Sequence, residues 1–327
     1  MKKRIWLILF AFALVVAACG DDTGGDSTTP ADGGSTVASG DGETINIVAN
    51  AWTASALNAE IAKQLIESEL GNPVEIVTID ENTMFTGLSD GTVDAVLEVW
   101  PSGVTPDEQA FLDDGSVVNI GDLGAIGQIG WFVPSYVIDE HPELATWEGY
   151  LDPANAALFA TAETGDLGRF LGTDPSYSQY DEPIIANLGL PFMAVFSGSE
   201  PATVAELDAR VAANEPILMY WWTPTAAVAK YDLVQVELPE YSEECYAGEV
   251  SEVDCAYPPD TLVKLASPQL AEKAPNVQSF LEKFQMTNED QLSMLPAVEI
   301  DGEDAADIAA QWIADNEDVW SAWLADQ

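Results

Sequence analysis

Large aromatic side chains collect at the ends of apolar runs in this chain. Trp52 closes "TINIVANAW" (44–52), Trp100 closes "VDAVLEVW" (93–100), and Trp221 and Trp222 close "EPILMYWW" (215–222). Trp131 lies inside "AIGQIGWFVPSYVI" (125–138). Core tryptophans have no reason to prefer the ends of strands, whereas ligands of parallel α/β sheets bind just beyond the strands' carboxyl ends. A ring face is electron-rich and attracts a quaternary ammonium, which has no N–H for a polar side chain to grip. Each desolvated contact of this kind is worth roughly 1–2 kcal/mol. Successive strand residues point to opposite faces, so Trp221 and Trp222 cannot both face one cleft; one faces it and the other packs.

Other chemistry finds little support. The one histidine, His141, sits in the polar run "DEHPE" and reads as a solvated loop residue. No G-x-S-x-G elbow, P-loop, G-x-G-x-x-G or H-E-x-x-H is present, so an enzyme reading has no residue to stand on and no cofactor is expected. The 56 acidic residues against 10 Lys and Arg give a net charge of −46, which argues against nucleic acid as a partner. A salt-adapted, solvated surface accounts for this excess. "DGEDAAD" (301–307) lacks the spacing of a calcium loop, and no metal site is expected.

The elements that position these rings follow from periodicity. "TINIVANAW", "PVEIVTID" (73–80) and "VDAVLEVW" read as strands. Between them, "ASALNAEIAKQLIESEL" (54–70) has Leu57, Ile61 and Leu65 on one helical face, and "MFTGLSDG" reads as a short helix closed by Gly91. The order β-α-β-α-β predicts a parallel sheet with right-handed crossovers. The apolar 125–138 segment suits a crossing between lobes, 139–215 reads as mixed helices and loops, and "EPILMYWW" and "VQVELP" (234–239) read as strands. Beyond them the chain is expected to return to helices, in "NVQSFLEKFQM", "NEDQLSMLPAV" and "DAADIAAQWIADNEDVWSAWL".

The N-terminus is expected to lie outside this body. Lys2, Lys3 and Arg4, an apolar run and "VAAC" (16–19) form a secretory signal ending in a lipobox, with residues 1–18 removed and Cys19 lipidated. The Gly-, Ser-, Thr- and Asp-rich stretch up to residue 43 reads as a disordered tether. The mature protein is thus expected outside the cytoplasm, held on a membrane by its lipid. There, a disulfide between Cys245 and Cys255 is the default.

The body resembles the glycine betaine/choline/proline betaine substrate-binding proteins of ABC importers. The likeness spans 44–327 and rests on ordered motifs: "VANAWTASALNAEIAKQLIE", "MFTGLSDGTVDAVLEVWP", "GWFVPSYVI", "YDEPIIANLGL", "YWWTPT" and "AAQWIADNEDVWSAWL". It implies an α/β, two-lobe periplasmic-binding-protein fold (type II), each lobe a mixed, mostly parallel sheet flanked by helices, with two crossovers. Lobe I would comprise 44–132 and 235–327, and lobe II 133–234. The same resemblance implies an aromatic cage between the lobes, with Trp52, Trp100 and Trp222 as walls, Tyr177 in "DPSYSQYDEP" replacing a tryptophan of other members, and Trp131 as a further wall. Trp221 is then the packing residue. A betaine carboxylate would be met by the helix after Trp52, by Thr53 and Ser55, and by Arg169 as an anion anchor. Choline-selective members carry an acid two residues after the first tryptophan; Ala54 stands there in this chain, which favours a betaine. The expected function is a monomeric, lipid-anchored receptor that delivers glycine betaine, a quaternary ammonium osmolyte, to an ABC permease. The alternatives are choline, carnitine or proline betaine as ligand, or a sensor without transport.

Overall fold

The structure, a computed structural model, describes residues 42–177 and 180–325. The signal, Cys19 and all but the last residues of the tether fall outside the described residues.

Among the described residues nine strands form one sheet: β1 (Ile45–Ala49), β2 (Val74–Thr78), β3 (Ala95–Val99), β4 (Val118–Pro134), β5 (Gly168–Gly172), β6 (Phe192–Phe196), β7 (Leu218–Thr223), β8 (Leu233–Gln235) and β9 (Pro259–Ala266). Their order is β2-β1-β3-β9-β4-β7-β5-β6, with β8 also on β4. The two flanks are parallel triplets, β2-β1-β3 and β7-β5-β6, and the antiparallel β9 and β4 join them. Strand β4 is the hinge of this topology. Residues up to Gln128 pair with β9, and residues from Gln128 onward pair with β7 and then β8. The chain crosses from one flank to the other along β4 and returns between β8 and β9.

Local sequence explains the first flank. Leu57, Ile61 and Leu65 are buried along the helix Thr53–Leu65, which packs on the helix Ala305–Asp315. The expected helix to residue 70 ends in a π-helical turn, Ile66–Leu70, stopped by Gly71 at φ 75°. The helix Glu81–Asp90 ends at Gly91, φ 78°, where a β-carbon would be strained.

Three expectations are corrected. The 139–215 segment contains β5 and β6, not helices and loops alone. "VQVELP" contributes only its first two residues to a strand, β8. The chain beyond the cysteine loop does not go directly to helices: β9 comes first and sits in the middle of the sheet. "PDTLVKLA" conceals this because it is not uniformly apolar. Lys264 is wholly buried, and its ammonium donates to the carbonyl oxygens of Leu281 and Glu282 at 2.9 and 3.1 Å, and to that of Phe284. Asp260 accepts from the backbone N–H and the hydroxyl of Ser102. Long-range partners thus satisfy the polar groups that made the strand look unsuitable. Cys245 and Cys255 are joined by a disulfide.

Candidate functional site

Four of the predicted rings meet around one cavity. Trp52, Trp100, Tyr177 and Trp222 line it with Tyr220, Ile129, Glu81 and Gly103. Trp52 is the residue before the helix Thr53–Leu65, and Trp100 follows β3. Pro101, directly after Trp100, opens a 3-10 turn that brings Gly103 to the cavity. Tyr177 follows a turn in which the Asp174 side chain accepts the N–H of Ser176. Tyr220 and Trp222, two apart on β7, share a face, and Trp222 lies opposite Ile129 on β4. The rings stand edge to face: Trp52 to Tyr177 at 5.5 Å and 87°, and Tyr177 to Trp222 at 5.8 Å and 81°. The Tyr177 hydroxyl donates to the Ala51 carbonyl at 2.9 Å, tying the β5 side to the β1 side. Trp221 has no exposed surface; it stacks on Trp222 at 4.5 Å and its N–H donates to Thr225.

The remaining predicted contacts lie elsewhere. Trp131 is not a wall of the cavity. It sits opposite Tyr220 in register, fully buried, packs on Phe170 at 4.8 Å and donates its N–H to Asp181 at 2.6 Å. Arg169 does not reach the cavity either, because both its terminal nitrogens bind the carboxylate of Glu206. The N-terminus of the helix Thr53–Leu65 already holds a carboxyl group, since Glu200 accepts the Thr53 N–H at 3.0 Å and its hydroxyl at 3.3 Å. The Ser55 hydroxyl accepts the N–H of Asn50. Thr53, the Ser55 hydroxyl and Arg169 are therefore each engaged within the protein.

Carboxyl groups surround the rings instead. Glu81 is in the cavity wall, and among the described residues lining it there is no Lys, Arg or His. Behind the wall, Glu98 is fully buried and accepts four N–H groups. They come from Trp52 (2.7 Å), Trp100 (3.2 Å), Asn58 (2.7 Å) and Gln291 (3.1 Å). Burial pushes its carboxyl up to about 7, against the pull of these four bonds. Burial likewise raises Glu200 and Asp181 to about 7 each.

A family model described as the substrate binding domain of ABC-type glycine betaine transport systems matches residues 43–315. The chain belongs to that family. Members are receptors that bind a solute for transport, so the chain is a binding protein and not an enzyme. Over 98% of its length the chain is 26% identical to 99% of a trimethylamine N-oxide-binding protein of Pelagibacter ubique. Its fold is that of lactococcal OpuAC solved with glycine betaine (TM-score 0.68, 18% identity, 86% of this chain and 99% of that one). It is equally that of a choline-binding protein solved with choline (TM-score 0.70, 16% identity, 86% and 91%). These are two-lobe binding-protein folds, as the resemblance implied.

Around this cavity, sequence reasoning missed Glu81, Glu98, Ile129 and Tyr220. Two of them left a signal. Glu98 is the only polar residue of the otherwise apolar strand "AVLEV" and precedes Trp100 by two, so alternation puts both on one face. Tyr220 precedes Trp222 by the same spacing. Glu81 and Ile129 left none, for each comes from an element that only the fold brings near the rings.

Proposed function

We propose that this chain is the receptor of an ABC importer for a small solute with a trimethylated nitrogen and one hydrogen-bonding oxygen, of the type of trimethylamine N-oxide or choline, ahead of glycine betaine. The observation that carries this is a ring-walled cavity whose ionisable wall residue is an acid. Several desolvated ring contacts at about 1–2 kcal/mol each supply a large part of the ~8 kcal/mol of micromolar binding. Glu81 then selects the rest of the ligand. As a carboxylate it accepts from a choline hydroxyl. As a carboxylate it also repels the carboxylate of a betaine, while Arg169 and Thr53 are held by Glu206 and Glu200. The acid absent at Ala54 is thus supplied from another element. The Pelagibacter ubique relative's ligand agrees with this ordering. Glycine betaine is the second reading, favoured by the family description itself.

In this reading the flanks on either side of β4 are two lobes that close on the solute, with boundaries near residues 132 and 235. The closed form docks on a membrane permease, and a lipid on Cys19 holds the monomeric receptor at the membrane surface outside the cytoplasm. Isothermal titration with trimethylamine N-oxide, choline and glycine betaine tests the ligand. Micromolar binding of either of the first two, weakened in Trp222→Leu, is expected. Tighter binding of glycine betaine would overturn the ordering, and failure of all three on folded protein would overturn the reading.

A further inference from the structure

We propose that Glu98 is a positioning residue of the cage. A single buried carboxylate oxygen holds the indole N–H groups of both Trp52 and Trp100, fixing two rings and placing a negative charge behind them. The inference rests on the ligand reading above but concerns a residue that never touches the solute.

Geometry makes the case. Trp52 and Trp100 reach the same oxygen, Oε1, from different elements, the first from the start of a helix and the second from the end of β3. The other oxygen, Oε2, is held by Asn58 from the same helix as Trp52, and by Gln291 from the helix Asn288–Glu299. Four donors and no acceptor converge on the carboxyl, an arrangement that suits its ionised form. The amides are oriented for that form too: the oxygens of Asn58 and Gln291 point away, are buried and find no partner. An indole polarised by donating its N–H to a carboxylate presents a more electron-rich face. The charge itself also stands directly behind two of the rings, in a medium of low dielectric.

Ligand binding is therefore coupled to a proton. The four partners of Glu98 are uncharged. The ionisable groups electrostatically coupled to it are Glu200 and Tyr177, and Glu81 is the acid of the cavity wall. A cation arriving in the cage stabilises the ionised carboxyl, so binding releases protons and tightens as pH rises from about 6 to 8.

The test uses tetramethylammonium chloride, which has no oxygen and reads the cage alone, and choline. Glu98→Gln is expected to fold, since its new NH₂ can be met by the oxygens of Asn58 and Gln291 once those amides turn. Titration of the wild type should show affinity rising about tenfold between pH 6 and 8. In Glu98→Gln, binding at pH 8 should be at least tenfold weaker and the rise should shrink below threefold; Glu200→Gln isolates the remaining slope. Indole N–H resonances, assigned with Trp52→Phe and Trp100→Phe, should lie downfield and move with pH in the ligand-free wild type, and shift in Glu98→Gln. Equal affinity and an equal pH slope in Glu98→Gln, or indole resonances indifferent to it, would overturn the proposal while leaving the ligand reading intact. If the wild type binds no trimethylated probe, the ligand reading fails, and the resonances alone decide whether Glu98 holds the two indoles.

Discussion

Replacing Trp222 by leucine removes one ring from the cavity wall but keeps an apolar side chain there. The loss of a desolvated cation contact of about 1–2 kcal/mol corresponds to roughly 5- to 30-fold weaker binding of choline or trimethylamine N-oxide, readable by isothermal titration. Glu81→Gln separates the ligands instead of weakening all of them. Choline should lose about tenfold in affinity, while glycine betaine should bind no worse or better, because a charge that repels its carboxylate has gone. A tenfold loss for glycine betaine would show that the acid does not discriminate. Arg169→Lys should leave every affinity within about twofold, since Arg169 is paired with Glu206 away from the cavity. It should lower the melting temperature, because a bidentate pair becomes a single contact.

Elements decide whether these rings meet. Gly127 on β4 lies against the Trp100 indole so closely that a β-carbon there would stand 2.1 Å from the ring. Gly127→Ala should therefore displace Trp100 and weaken ligand binding by more than tenfold, with far-UV circular dichroism unchanged; wild-type affinity in this variant would mean that Trp100 is not a wall in solution. The same strand shows what the sequence could and could not disclose. The period-two pattern of β1, β2 and β3, and the helical face of Leu57, Ile61 and Leu65, are local and were legible. So were Trp52, Trp100 and Trp222, because each lies at or just beyond the carboxyl end of a strand. Strand β9 was not, since Lys264 and Asp260 are made tolerable by carbonyls and hydroxyls far along the chain. The internal partners of the expected anion anchors were hidden for the same reason. A helix N-terminus looks vacant in sequence, and only the fold reveals that Glu200, 147 residues away, already occupies it.

At the scale of the molecule, buried carboxyl groups set the response to pH. Glu98, Glu200 and Asp181 stand near 7 and Glu299 near 8, each raised chiefly by burial. The folded chain thus holds protons that the unfolded chain releases above the usual carboxylate range. The stabilisation is complete below about pH 4.5 and is lost as pH rises through 7 to 8. Thermal unfolding of the ligand-free protein should give a higher melting temperature at pH 5.5 than at pH 8.5. A flat or opposite trend would show these groups to be solvated in solution. The net charge of −46 adds to the trend and predicts a rise in melting temperature with added salt. Ligand affinity should run the other way with pH, so the bound protein loses less stability on alkalinisation than the free one. Finally, Trp221 and Trp222 stack at 4.5 Å and 27°, with only Trp222 exposed to the cavity. Two indoles this close absorb as a coupled pair and give an exciton couplet in circular dichroism. A solute that presses on Trp222 alters that coupling, so the unlabelled protein is its own optical gauge of occupancy.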